Sequence, residues 1–95
     1  MPAYVMVQIE VTNEEKYAEY RKRAPASLEK FGEKFLARGG ELAVLEGDLT
    51  PSRMVVLEFD SLETIKKWYQ SPEYQYAKEA REGAASFSMV AVEGL

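Results

Sequence analysis

Apolar and polar residues alternate without a break from Tyr4 to Val11. Val5, Val7, Ile9 and Val11 fall on one face, and Tyr4, Met6, Gln8 and Glu10 on the other. A period of two with β-branched residues predicts a strand. Thr12-Asn13-Glu14-Glu15 then reads as a helix start, with Asn13 or Thr12 as cap and two glutamates at the positive end of the dipole. Tyr17, Tyr20, Ala24, Leu28 and Phe31 recur at spacings of three and four, on one helical face. Pro25 inside this run lacks an N–H and crowds the preceding turn, which predicts a kink or restart near Ala24. Gly32 ends the element.

The stretch Lys34–Arg38 and Glu41–Glu46 reads as one strand, interrupted by Arg38-Gly39-Gly40 and then resumed. Glycines in a strand interior mark a bulge, a bend or a close backbone approach. Gly47 to Ser52 has the composition of a turn, and Arg53 to Phe59 alternates again. Asp60 is placed to cap a second helix, with Glu63 closing a capping box and Leu62, Ile65, Trp68 and Tyr69 as its apolar stripe. Ser71-Pro72-Glu73 is a fresh helix start that carries Tyr74, Ala77 and Arg81 towards Gly83. A last strand runs from about Ser86 to Val92.

The order β-α-β-β-α-β predicts a ferredoxin-like α+β sandwich, a four-stranded antiparallel sheet with both helices on one face. No linker divides the chain, so residues 1–95 are expected to form a single domain. Two helices cover one sheet face only, and the other should then be polar. Here it offers Tyr4, Met6, Met54 and Val56, and the last strand has Phe87, Met89 and Ala91 on one side and Val90 and Val92 on the other. That much apolar surface predicts a homodimer in which two sheets pack face to face around a barrel-like interior. Gln8, Glu10 and Glu58 would point into the inter-sheet space with Arg38 nearby. They would form either a structural Arg–Glu pair at the barrel mouth or a small polar-lined pocket.

Composition narrows the chemistry. A chain of 95 residues buries only about 60–65% of the surface its unfolded form exposes, so its core is thin. Sixteen acidic residues against twelve basic ones give a net charge of −4, the wrong sign for nonspecific nucleic-acid binding. There is no cysteine and no histidine. Disulfides, thiol nucleophiles, thiolate metal sites, a histidine-ligated haem and a serine–histidine triad are therefore excluded. Acid–base work must fall to carboxylates, tyrosines, lysines or water. Met1-Pro-Ala-Tyr runs straight into strand pattern with no signal-peptide features, and no apolar run approaches the ~20 residues that span a bilayer. The expectation is a soluble cytoplasmic protein with no membrane or nucleic-acid partner, no cofactor and no metal.

Several motifs, in order, carry a resemblance over nearly the whole chain. They are Tyr4-Val-Met-Val-Gln-Ile-Glu-Val, Tyr17-Ala-Glu-Tyr20 with Pro25, Phe35-Leu-Ala-Arg-Gly-Gly40, Val44-Leu-Glu-Gly-Asp48, Trp68-Tyr69, Ser71-Pro-Glu-Tyr74 and Val92-Glu-Gly94. With them the chain resembles the domain-of-unknown-function 1330 family, within the dimeric α+β barrel superfamily. The resemblance implies a ferredoxin-like fold and a homodimer, and no established activity. Its superfamily includes cofactor-free monooxygenases, muconolactone-isomerase-like proteins, haem-binding peroxidases and stress-responsive barrels. The missing histidine counts against the haem-binding branch.

Arg38 is the first candidate site residue, because a guanidinium beside Gly39 and Gly40 can clamp a carboxylate or enolate bidentately. A salt bridge to Glu10, Glu46 or Glu58 is its structural alternative. Glu58 and Glu10 are candidate general bases, if an apolar pocket raises their pKa. Gln8, Gly39, Gly40, Trp68, Tyr69 and Tyr74 are candidate ligand-binding positions, the aromatic trio lining a pocket at the helix break. Three functions fit. One is a cofactor-free small-molecule enzyme of isomerase or monooxygenase type with an Arg/Glu/Tyr pocket. The second is a non-catalytic or stress-associated dimer that binds a small acidic or aromatic ligand. The third is a purely structural protein.

Overall fold

The computed structural model describes residues 1–48 and 52–95. Its elements are β1 (Ala3–Val11), α1 (Glu14–Leu28) followed by a 3-10 turn (Glu29–Phe31), β2 (Lys34–Arg38), β3 (Arg53–Phe59), α2 (Leu62–Gln70), α3 (Pro72–Arg81) and β4 (Ala85–Glu93). The strands form one antiparallel sheet in the order β2-β3-β1-β4, the ferredoxin-like arrangement predicted. β1 is central, pairing with β3 from Ala3↔Phe59 to Ile9↔Arg53 and with β4 from Ala3↔Glu93 to Val11↔Ala85.

The alternation in the sequence sets the two sheet faces. Ala3, Val5, Val7, Ile9, Val55, Leu57 and Phe59 are buried beneath the helices, and Phe87, Met89 and Ala91 pack half-buried against them. Above them an aromatic chain joins the layers. Trp68 lies 5.4 Å from Phe59 and 4.4 Å from Tyr74, and Tyr20 meets both Tyr74 and Phe87 edge-on. Such pairs add to burial as well as to geometry.

Helix ends follow local chemistry, with two shifts from expectation. Asn13 caps α1 by accepting from the Lys16 N–H at 3.0 Å. The helix continues through Pro25 to Leu28 without a restart, its final turn held by burial of Ser27 and Leu28. Gly32 closes the following turn in the left-handed region, at φ 64°. For α2 the cap is Ser61 rather than Asp60. Ser61 has extended backbone, its Oγ accepts from the Thr64 N–H at 3.1 Å, and it lies 2.9 Å from the Thr64 hydroxyl. Ser71 separates α2 from α3 as predicted. Its Oγ donates to the Trp68 carbonyl at 2.7 Å and accepts from the Tyr74 N–H at 3.1 Å, fixing the two rings against each other.

The glycine-interrupted strand is the larger correction. Pairing of β2 ends at Arg38, and the Gly39 N–H makes the last link, to the Met54 carbonyl at 2.9 Å. Gly39 then turns the chain away with φ 71°. Residues 41–48 are exposed and form no strand. The bulge lies earlier, at Leu36. Phe35 pairs with Leu57 and Ala37 with Val56, which leaves Leu36 as an extra residue. The predicted turn from Gly47 to Ser52 is a bend as far as Asp48, and its centre lies outside the described residues. Among the described residues, no helix is long and apolar enough to cross a membrane.

Candidate functional site

Helix α1 leans mainly on α3 rather than on the sheet, and the β2–β3 side of the helix-covered face is left open. A cavity of about 280 Å³ occupies that space. Its floor is Val7, Ile9, Val55 and Leu57 from the sheet, and its roof is Tyr17, Tyr20, Ala24 and Leu28 from α1. Trp68 and Phe87 close the inner end. Arg21, Arg38 and Arg53 are its charged lining residues, and no carboxylate lines it.

Each arginine arrives by a separate local device. The extra residue at Leu36 sets the parity of β2. Phe35 and Arg38, three apart, both end up on the helix side opposite Leu57 and Val55. The Arg38 guanidinium then stacks over the Phe35 ring at 4.5 Å. Arg53 pairs with Ile9 and so shares that face. Its guanidinium lies against Gly39, where the missing side chain leaves room for it. Arg21 comes from α1 and is held by Glu14 at 2.6 Å, both side chains exposed. Among the described residues neither Arg38 nor Arg53 has a carboxylate partner, and the Arg53 Nε is buried without a hydrogen bond. Arg81 stacks over Phe87 at 3.9 Å, and its Nε is likewise buried and unpaired.

Two tyrosines face this cationic corner. Burial pushes the Tyr17 hydroxyl above its ordinary pKa, against the opposing pull of Arg53 and Arg21. Burial and the neighbouring Tyr74 hydroxyl, 3.0 Å away, push Tyr20 up strongly. Both are neutral hydrogen-bonding groups at physiological pH rather than bases. The arrangement can hold a small amphipathic anion, with the apolar body against valine, leucine and aromatic side chains and the charge on the arginine rim.

The residues proposed from sequence separate in space. Arg38 and Trp68 line the cavity. Gly39 borders it through Arg53, and Gly40 faces open space. Gln8, Glu10 and Glu58 lie on the opposite sheet face, since their neighbours Val7, Ile9 and Leu57 point under the helices. Tyr69 lines a second cavity of about 260 Å³ with Lys66 and Met89. Its hydroxyl accepts from Lys78 Nζ at 3.0 Å, which lowers its pKa. Tyr74 is wholly buried in the core. Sequence reasoning missed Arg53, Tyr17 and Tyr20 as cavity residues. Arg53 carried a signal, because it shares the parity of Val55, Leu57 and Phe59 and sits on a buried face. No group of three or more carboxylates gathers among the described residues to offer a metal site.

Fold and cavity together define a ferredoxin-like α+β protein with a small-molecule-sized hollow between helix and sheet. The chain belongs to the family described as domain of unknown function DUF1330, matched over residues 2–95. A comparison with curated proteins finds no match. Among solved structures it is similar to a protein of unknown function from Rhodopseudomonas palustris, at 19% identity and TM-score 0.78, covering 99% of this chain and 82% of that one. It is similar to a dimeric, ferredoxin-like protein of unknown function from Bacteroides fragilis, at 20% identity and TM-score 0.63, covering 98% and 96%. It also shares its fold with SnoaB, a cofactor-independent oxygenase from Streptomyces nogalater, at 8% identity and TM-score 0.66, covering 99% and 93%.

Proposed function

We propose that the cavity binds a small, mostly apolar organic anion and that the protein converts it without a cofactor. The ligand class is an aromatic or alicyclic carboxylate, phenolate or enolate. The observation that carries this reading is the placement of Arg38 and Arg53, without carboxylate partners among the described residues, beside an apolar hollow. Two guanidinium groups favour the ionised form of a bound phenol or enol. An electron-rich anion of that kind is the reactive form for isomerisation by proton transfer and for oxygenation by dioxygen. The fold shared with a cofactor-independent oxygenase supports the second route.

A second reading, non-catalytic binding, is favoured by one feature of the same cavity. No carboxylate lines it, and Glu10 and Glu58 lie across the sheet, so no strong base faces the ligand. Both readings are tested together. The single tryptophan, Trp68, lines the cavity and reports occupancy by its fluorescence. Titration with benzoate, salicylate, phenols and cyclic 1,3-diketones should give saturable changes that are lost in Arg38→Ala/Arg53→Ala. Product formation from a bound compound, dependent on the same arginines, supports the enzyme, and binding without product supports the binder. Failure of every such anion to bind, or equal binding to the double variant, overturns the site.

We also propose that two chains pair through the sheet face away from the helices. Met6, Met54 and Val56 are only half-buried there, beside exposed Val90 and Val92. A mass of two chains by light scattering at micromolar concentration is expected, and a mass of one chain would refute the pairing.

A further inference from the structure

Residues 41–46, Glu-Leu-Ala-Val-Leu-Glu, have strand composition with no glycine or proline, yet they join no strand. Leu42, Val44 and Leu45 are 40%, 52% and 94% exposed. Among the described residues the segment makes no backbone hydrogen bond to the rest of the chain. It cannot simply extend β2, because Gly39 turns the backbone out of the sheet at φ 71°.

The fold carries a complementary orphan. β4 is a nine-residue edge strand paired on one side only, with β1, and its outward Val90 and Val92 are 59% and 47% exposed. A long apolar edge of this kind recruits another strand unless something covers it. Six extended residues span about 20 Å, which fits within β4 at about 30 Å.

We infer that residues 41–46 pair as an exchanged strand with the open β4 edge of a second copy of this chain. The inference rests on the proposed dimer and names the segment that locks it. The occupant is a second copy because one two-fold operation then satisfies both orphans twice, leaving neither arm nor β4 edge open. Leu42 and Val44 would lie against Val90 and Val92, a cross-strand apolar match.

The absence of cysteine makes the test clean. Val44→Cys protein is mixed in turn with Ser88→Cys, Val90→Cys and Val92→Cys protein under mild oxidation. A mixed disulfide between the arm and at least one β4 position is expected, since opposed strand residues bring their Cβ atoms within about 5.5 Å. In parallel, residues 41–46 are replaced by a Gly-Ser segment of equal length. That chain should keep its far-ultraviolet circular dichroism and dissociate at least ten-fold more readily. A dimer that persists unchanged in the Gly-Ser chain, with no mixed disulfide at any β4 position, overturns the exchange and leaves the dimer standing. A one-chain mass for the unaltered protein overturns both.

Discussion

The Arg53 guanidinium occupies the space that a side chain on Gly39 would need. A Cβ built on Gly39 would lie 2.7 Å from Arg53 Nη1 and 2.9 Å from Cζ. The glycine serves two purposes there. It allows the left-handed turn at φ 71° that ends β2, and it seats a cation beside the cavity. Gly39→Ala should therefore cost about 1–2 kcal/mol of stability from backbone strain. It should also weaken organic-anion binding, because Arg53 must move. Gly32→Ala is the control. Gly32 shares the positive φ but faces open space, so only stability should fall. Urea denaturation and Trp68 fluorescence titration separate the two effects.

Arg38→Met and Arg53→Met keep an apolar stem and remove the charge. Neither residue has an ion pair among the described residues, so unfolding free energy should change by less than about 0.5 kcal/mol. Affinity for a bound carboxylate should drop by about 1.5–3 kcal/mol for each charge-assisted hydrogen bond lost. A large stability loss with unchanged affinity would identify these arginines as structural.

Alkaline pH should destabilise the fold through its tyrosines. Tyr20 is held neutral by burial and by Tyr74, and Tyr17 by burial. Above about pH 10 tyrosines of the unfolded chain lose protons that the folded chain retains. The folded state then binds more protons, so stability falls as pH rises, by about 1.4 kcal/mol per pH unit for one tyrosine fully held neutral. Below the unfolded value the contribution is constant. Tyr20→Phe should flatten the decline in urea-unfolding free energy between about pH 10 and 11.5. Parallel declines in both proteins would show that Tyr20 ionises as readily folded as unfolded.

Ser27 links α1 to the core. Its Oγ donates to the Ala24 carbonyl at 2.6 Å and accepts from Trp68 Nε1 at 3.1 Å. Ser27→Ala strands a buried indole N–H and should cost about 1–3 kcal/mol. Thermal unfolding measures the loss, and Trp68 emission should shift with the change in its surroundings. Both observables unchanged would mean that the indole N–H finds another partner.

The fold was legible because β1 and β3 alternate strictly, and both become central strands whose faces differ sharply in burial. The start at Ser71-Pro72 was legible because cap and proline chemistry are local. The site was not. Its rim depends on pairing register, and a one-residue bulge at Leu36 has no sequence marker as strong as the two glycines that follow it. Those glycines drew attention to Arg38 for a sound reason, yet Gly39 acts on Arg53, fourteen positions away in sequence. Glu58 and Glu10 looked like partners of Arg38 because strand parity was counted without the bulge. With it, they face the other way.

The extra residue at Leu36 acts as a counter. Removing one position from β2 would leave the sheet, the helices and the hollow in place while carrying the Arg38 charge from the cavity to the outer face. The ligand preference of this scaffold can therefore change through strand length alone, without replacing any side chain that touches the ligand. Relatives with identical cavity-facing residue types but a different count between Lys34 and Arg38 should present different chemistry from the same frame.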